Sequence, residues 1–308
     1  MAKYRILSLD GGGIRGLLTT IMLERLESIN PNWLEKVDLL AGTSTGGIIA
    51  LGLAKGLTPT QLRELYEQKG SKIFDDSWMD DLKDIGGLAG ADYDNKNLKE
   101  ELDKIFGDTK LRSLQKKVLI PAFDLDNESK NEKKRSWSPK FFHNFSGSDT
   151  DGGKLAREVA LCTSAAPTYF PSFDGYIDGG VVANNPSVAA LAQSQDTRAI
   201  ALPPKMKDIV LLSISTGKSL VYIEGKTLDW GYAQWVKPII QIMMDGIMGV
   251  ADFQCRQILR NNYFRIEPVF PPNEVIKLDD VKKIPELISF ANEVNLTEAS
   301  EWLTKYWK

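Results

Sequence analysis

The chain has 308 residues, 43% of them hydrophobic, with a formal net charge of −3 and a pI near 5.5. That length and apolar content suffice for one large α/β domain, and the acidic balance excludes nucleic acid as the main partner, because neutralising phosphates needs a positive stripe. The two cysteines, Cys162 and Cys255, stand far apart, so neither a disulfide framework nor a thiolate zinc site is expected and both read as small buried thiols.

Met1 to Arg5 run straight into the strand-like Ile6-Leu7-Ser8-Leu9, leaving no room for a signal segment, and no apolar run approaches the ~18 residues of a membrane span. A soluble cytoplasmic protein is expected, peripheral at membranes at most. Residues 4–9 read as a buried strand, Ile14 to Ile29 as a helix with Leu17, Leu18, Ile21, Met22 and Leu26 on one broad face, and Val37 to Ala41 as a second strand. A glycine-flanked turn then leads into a helix from Thr45 to about Lys55. Strand, helix, strand, helix is the pattern of a parallel sheet covered by helices.

Thr58-Pro59-Thr60-Gln61 carries a cap residue, a proline at the first helical position and Gln three after the cap, so a helix starts there and runs to about Lys69. Residues 75–96 lack clean periodicity and read as a long excursion of the kind that serves as a lid. Lys117 to Asp124 and Ser136 to Phe145 pair as a hairpin with a charged tip, Lys130 to Arg135, beside Trp137, Phe141 and Phe142. That tip is either solvated or a membrane-contacting loop. Lys154 to Thr163 reads as a helix, Tyr176-Ile177 as a short strand, Asn185-Pro186 as a helix start and Asp208 to Ser213 as another buried strand. From Trp230 onward the chain is mainly helical, and its Ile- and Met-rich stretch 239–250 suits a core helix better than an acyl channel.

Three motifs carry chemistry. In Gly42-Thr43-Ser44-Thr45-Gly46 a serine stands between an apolar strand and an apolar helix, the sharp bend where an Oγ is exposed and helix-start amides can meet an oxyanion. Ser44 is therefore a candidate nucleophile. Its base is either His143, the chain's one histidine, which sits among aromatics and reads as half-exposed, or a carboxylate. Asp10-Gly11-Gly12-Gly13-Ile14-Arg15-Gly16 also fits the dinucleotide fingerprint, but the acidic partner that fold needs, here Asp38, lies at the beginning of its strand instead of the end. Successive glycines at a helix start serve equally to aim N–H groups at an oxyanion, with Arg15 holding either a head-group phosphate or a structural carboxylate.

Asp10 to Gly16, Gly42 to Gly46, and Asp178-Gly179-Gly180 followed by Val181 to Pro186 together resemble the patatin-like phospholipases, over roughly residues 4–220; Ala165 to Pro171 is also similar. The resemblance implies an α/β three-layer sandwich, a mostly parallel central sheet flanked by helices. It implies a single domain over 1–308, with a catalytic core at about 4–220 and a helical C-terminal extension at about 221–308. Ser44 is then the nucleophile and Asp178 the base of a Ser-Asp dyad, Gly179 and Gly180 complete the base motif, and Gly11, Gly12 and Gly13 form the oxyanion hole. No cofactor or metal is called for, and the partners are a lipid substrate and transiently a membrane surface. A second Asp-Gly-Gly at Asp151 follows a polar stretch instead of an apolar strand, which favours Asp178. The competing expectations are a dinucleotide-binding oxidoreductase and a catalytically inactive lipid-binding module.

Overall fold

A computed structural model describes residues 3–73, 94–272 and 274–308. Its first strand, β1 (Tyr4–Leu9), is buried by the period-2 rule: Leu7 and Leu9 join the core on one side of the sheet, and Ile6 joins the core on the other. A 3₁₀ turn over Gly13–Arg15 delays α1 to Gly16–Ile29, because the Ile14 amide donates to the Leu278 carbonyl at 2.7 Å instead of entering the helix. The next strand, β2 (Leu39–Gly42), likewise begins later than Val37, whose amide still closes the preceding 3₁₀ turn onto Leu34. Then come α2 (Thr45–Lys55) and α3 (Pro59–Ile73), whose start is held by a reciprocal cap: the Thr58 amide donates to Gln61 Oε1 at 2.9 Å and the Gln61 amide to Thr58 Oγ1 at 3.2 Å. Of the excursion expected over 75–96, residues 75–93 lie outside the described residues. A further helix, α4 (Lys96–Phe106), buries Leu98, Leu102 and Phe106, four residues apart along one face.

The chain continues through β3 (Lys117–Asp124), β4 (Ser138–His143), α5 (Ala156–Ser164), β5 (Tyr176–Asp178), α6 (Gly180–Ala183), α7 (Ser187–Gln193) and β6 (Ile209–Ile214). It ends with α8 (Tyr232–Leu259), β7 (Tyr263–Ile266), α9 (Ile284–Glu293) and α10 (Thr297–Tyr306). The sheet order is β4-β3-β2-β1-β6-β7, with β3, β2, β1, β6 and β7 parallel and β4 antiparallel at the edge. One face is covered by α1, α2, α5, α9 and α10, the other by α7 and α8, giving the three-layer α/β sandwich. The C-terminal part is mainly helical but also supplies β7. That strand was not expected from the sequence, because Tyr-Phe-Arg-Ile is short and its buried Arg265 breaks the apolar run.

Two features of this sheet position the site. Loops after parallel strands all leave at one edge, so the segments following β1, β2, β6 and β7 meet there. The second feature is that β3 shares one of its two sides between two partners: β2 pairs with Lys117 to Leu119, and β5 pairs antiparallel with Ala122 to Asp124. Thus β5 takes up the edge of β3 just past the end of β2, pointing back toward it. Among the described residues no helix is long and apolar enough to cross a membrane.

Candidate active site

Ser44 follows β2 and precedes α2 with φ 54° and ψ −124°, a left-sided backbone conformation that costs a non-glycine residue about 1–3 kcal/mol. The surroundings hold it there. The Ser44 amide donates to Thr163 Oγ1 at 3.0 Å, and the Thr163 hydroxyl in turn donates to the Pro121 carbonyl at 2.5 Å. Thr43 is pinned through its hydroxyl to the Ala183 carbonyl at 2.6 Å, and Thr45 through its hydroxyl to Tyr66. A Cβ at Gly42 would lie 2.0 Å from the Gly46 carbonyl oxygen, so the bend closes only with glycine at that flank.

Because β5 runs back toward the end of β2, its last residue, Asp178, opposite Ala122, arrives at the Ser44 turn. The Ser44 hydroxyl stands beside the Asp178 carboxyl, where it favours the charged form. Asp178 is 5% exposed, and the Gly180 amide donates to its Oδ1 at 2.7 Å. Gly179, by contrast, ties the motif to α5, its amide donating to the Thr163 carbonyl at 3.3 Å. Burial pushes the Asp178 carboxyl up to about 6; the Ser44 hydroxyl and the Gly180 amide pull the other way but do not cancel it, and no cation pairs with it among the described residues.

The glycine loop after β1 lies alongside. The Gly11 amide donates to the Asn184 carbonyl at 3.0 Å, which corrects the expectation that Gly11 belongs to an oxyanion hole: its one donor is already taken. Among the described residues the Gly12 and Gly13 amides donate to nothing, and Gly13 holds φ 57° at the start of the 3₁₀ turn. Asp10, at the loop's base, forms a buried two-pronged pair with Arg265 of β7, 2.7 and 3.3 Å, so the unexpected strand anchors the glycine loop. Arg15 lines the same cavity and makes no ion pair among the described residues. Burial lowers its pKa, and Asp245, Tyr169 and Asp10 act in the opposite sense.

Ser44, Asp178, Gly12, Gly13 and Arg15 all open into one cavity of about 570 Å³. Its lining includes the apolar Ile48, Leu65, Ile73, Leu98 and Phe170 and the charged Lys218, Lys277, Asp245, Asp252 and Glu267. Met244 and Met248 of α8 also line it, so the Ile- and Met-rich stretch is not a core helix. Nothing in its periodicity distinguishes a cavity from a core, since both reward apolar side chains. Asn184 and Thr163, which hold Gly11 and Ser44, were likewise not singled out from the sequence. Thr163 carries no local signal at all; Asn184 lies within the Val181 to Pro186 segment.

His143 is elsewhere. Buried, not half-exposed as its sequence neighbours suggest, it ends β4 beside Phe145 and does not line the cavity; burial lowers its pKa. Asp151 accepts from the His143 amide at 3.1 Å and pairs with Lys140 Nζ at 2.7 Å, well away from Ser44. Asp38, the acid the dinucleotide reading requires, accepts from the Arg5 amide at 2.7 Å, at the sheet edge opposite the glycine loop. Among the described residues no three His, Cys, Asp or Glu side chains converge as metal ligands would.

An elbow serine on a parallel α/β/α sheet thus faces a buried carboxylate in a largely apolar cavity. The chain belongs to the patatin-like phospholipase family, whose model matches residues 7–191. It is 29% identical to Protein teg of Priestia megaterium over the whole of both chains. It is 32% identical to a cGAMP-activated phospholipase of Pseudomonas aeruginosa, across 88% of this chain and 80% of that one. To Patatin-like protein 1 of Oryza sativa subsp. indica it is 28% identical, across 86% and 74%.

Proposed function

We propose that this lipid hydrolase is a phospholipase-A-type serine carboxylic-ester hydrolase that works through an acyl-serine intermediate. The observation that carries the reading is the Ser44 hydroxyl set against a buried carboxylate, with no cation beside it among the described residues. Such a carboxylate keeps a raised proton affinity, which a base abstracting a hydroxyl proton needs. Asp178 accepts the Oγ proton as Ser44 attacks the acyl carbonyl carbon. The oxyanion accepts hydrogen bonds from the unengaged Gly12 and Gly13 amides at the helix start. Collapse breaks the ester bond, with the Asp178 proton passing to the leaving alkoxide. Water then gives Asp178 a proton as its oxygen attacks the acyl-serine, the fatty acid leaves, and the proton returns to Ser44 Oγ. Arg15, without an ion-pair partner among the described residues, takes the head-group phosphate.

A fluorophosphonate is expected to label Ser44 and to fail on Ser44→Ala, while ester cleavage is abolished in both Ser44→Ala and Asp178→Asn. Full activity in Asp178→Asn with loss in His143→Ala would sink the dyad. Saturable binding of a nicotinamide cofactor would favour the dinucleotide reading, and vesicle binding without turnover the inactive module.

A further inference from the structure

Among the described residues, 19 large apolar side chains are exposed, and 14 of them fall between residues 220 and 275. On α8 they form a stripe. Ile239, Ile242, Met243, Val250 and Phe253 follow one another at spacings of three, one, seven and three residues, which at ~100° per residue keeps them within about 60° of one line. Gly246 lies on the same line, so no ionisable side chain interrupts a stripe about 21 Å long. Gln241, Met244, Asp245, Met248 and Asp252, which line the cavity, project from the opposite side of the helix. A surface helix ordinarily turns a polar face to water; this one turns an apolar stripe outward and sets Gln241, Asp245 and Asp252 on its cavity side.

Two other segments carry exposed apolar side chains at the cavity. Val221 and Val275 are each more than half exposed and also line the cavity, so they stand at its mouth, with Lys218 and Lys277 beside them. A second copy seated on this surface would cover Val221 and Val275 and close the mouth. A lipid surface seated there presents acyl chains to it, and the two lysines meet lipid phosphates. The hairpin tip has only Trp137 to offer, since Phe142 is buried and Phe141 packs into the core.

We propose that the outer stripe of α8, together with the mouth segments around Val221 and Val275, is the face on which the protein sits on a lipid bilayer, with α8 lying in the plane of the interface. The proposal rests on the lipid hydrolase reading for its occupant, but its test does not depend on turnover.

The full chain and the variant Ile242→Gln/Met243→Gln/Phe253→Gln are compared by flotation with vesicles of phosphatidylcholine and of phosphatidylcholine with phosphatidylglycerol. Partition of the variant is expected to fall about tenfold or more, since three apolar side chains no longer enter the interface. Hydrolysis of a water-soluble short-chain ester stays within about twofold, because none of the three lines the cavity, while hydrolysis of vesicle lipid falls with partition. The single variants Met243→Gln and Phe253→Gln are expected to lie between, and Met243→Leu to bind as wild type. Absence of wild-type partition to either vesicle overturns the proposal. So does undiminished partition of the triple variant, whether the hairpin variant Trp137→Ser loses it or sedimentation shows the triple variant dissociating a dimer. Failure of the ester assay with partition intact would instead count against the hydrolase reading.

Discussion

The same tripeptide, Asp-Gly-Gly, occurs at residues 10, 151 and 178, and the three buried aspartates have different surroundings. Asp10 faces Arg265 and Asp151 faces Lys140, each within 2.7 Å, whereas Asp178 faces a serine hydroxyl and a backbone amide. Burial raises the carboxyls of Asp10 and Asp178 alike, each to about 6, so the contrast lies in the partner: Asp10 and Asp151 are engaged in ion pairs, whereas no cation stands beside Asp178 among the described residues. Two of these aspartates thus hold segments of the chain together, and the third faces the serine. The difference lies in what the strands bring opposite each residue, not in the tripeptide.

The largest effect that tests this contrast is catalytic. Asp178→Asn is expected to lower kcat on a soluble ester by about 10²–10⁴-fold, the usual contribution of a general base, while Asp151→Asn stays within a few-fold and instead lowers the melting temperature. Comparable losses of kcat in both variants would erase the distinction. Next, Arg265→Ala leaves Asp10 buried without its partner and is expected to cost ~3–5 kcal/mol in urea unfolding; a loss under 1 kcal/mol would mean that the pair anchors nothing.

A third effect has the opposite sign. The folded state raises the Asp178 carboxyl from 3.8 to about 6, so folding favours its protonated form. The resulting destabilisation is absent below pH 3.8, grows as pH rises toward 6 and is complete above it. Asp178→Asn should therefore be more stable than wild type at pH 8, by at most ~3 kcal/mol, and lose that advantage at pH 4, as thermal melts at the two pH values would show. Activity runs the other way: log kcat/KM on the soluble ester is expected to rise up to a pH near 6 and flatten above it. Smallest is His143→Ala, expected to leave kcat unchanged and cost stability alone, read from paired kinetics and melts, because its ring packs on Phe145 outside the cavity.

Much of this was legible in the chain itself. Apolar runs at 4–9, 117–124 and 208–213 identify strands buried on both faces, because such strands need no polar alternation. The Thr58–Gln61 cap and the glycine-flanked serine are equally local, since caps and tight turns are made within a few residues. Short β7 and lysine- and glutamate-rich α4 were not legible, because their apolar faces amount to only two or three residues each.

By itself, then, the sequence determined the layered α/β class, the elbow at Ser44, the glycine loop and two rival Asp-Gly-Gly candidates, all products of short-range periodicity and turn chemistry. Only the tertiary structure decided how Asp178 is brought to the serine, that the Gly11 amide is already engaged, and that α8 forms a cavity wall with an apolar outer face. Each of these depends on segments distant in the chain: the division of β3 between β2 and β5, Asn184 against Gly11, and α8 across the loops of the sheet edge. Register and packing between distant segments leave no periodic trace in either one.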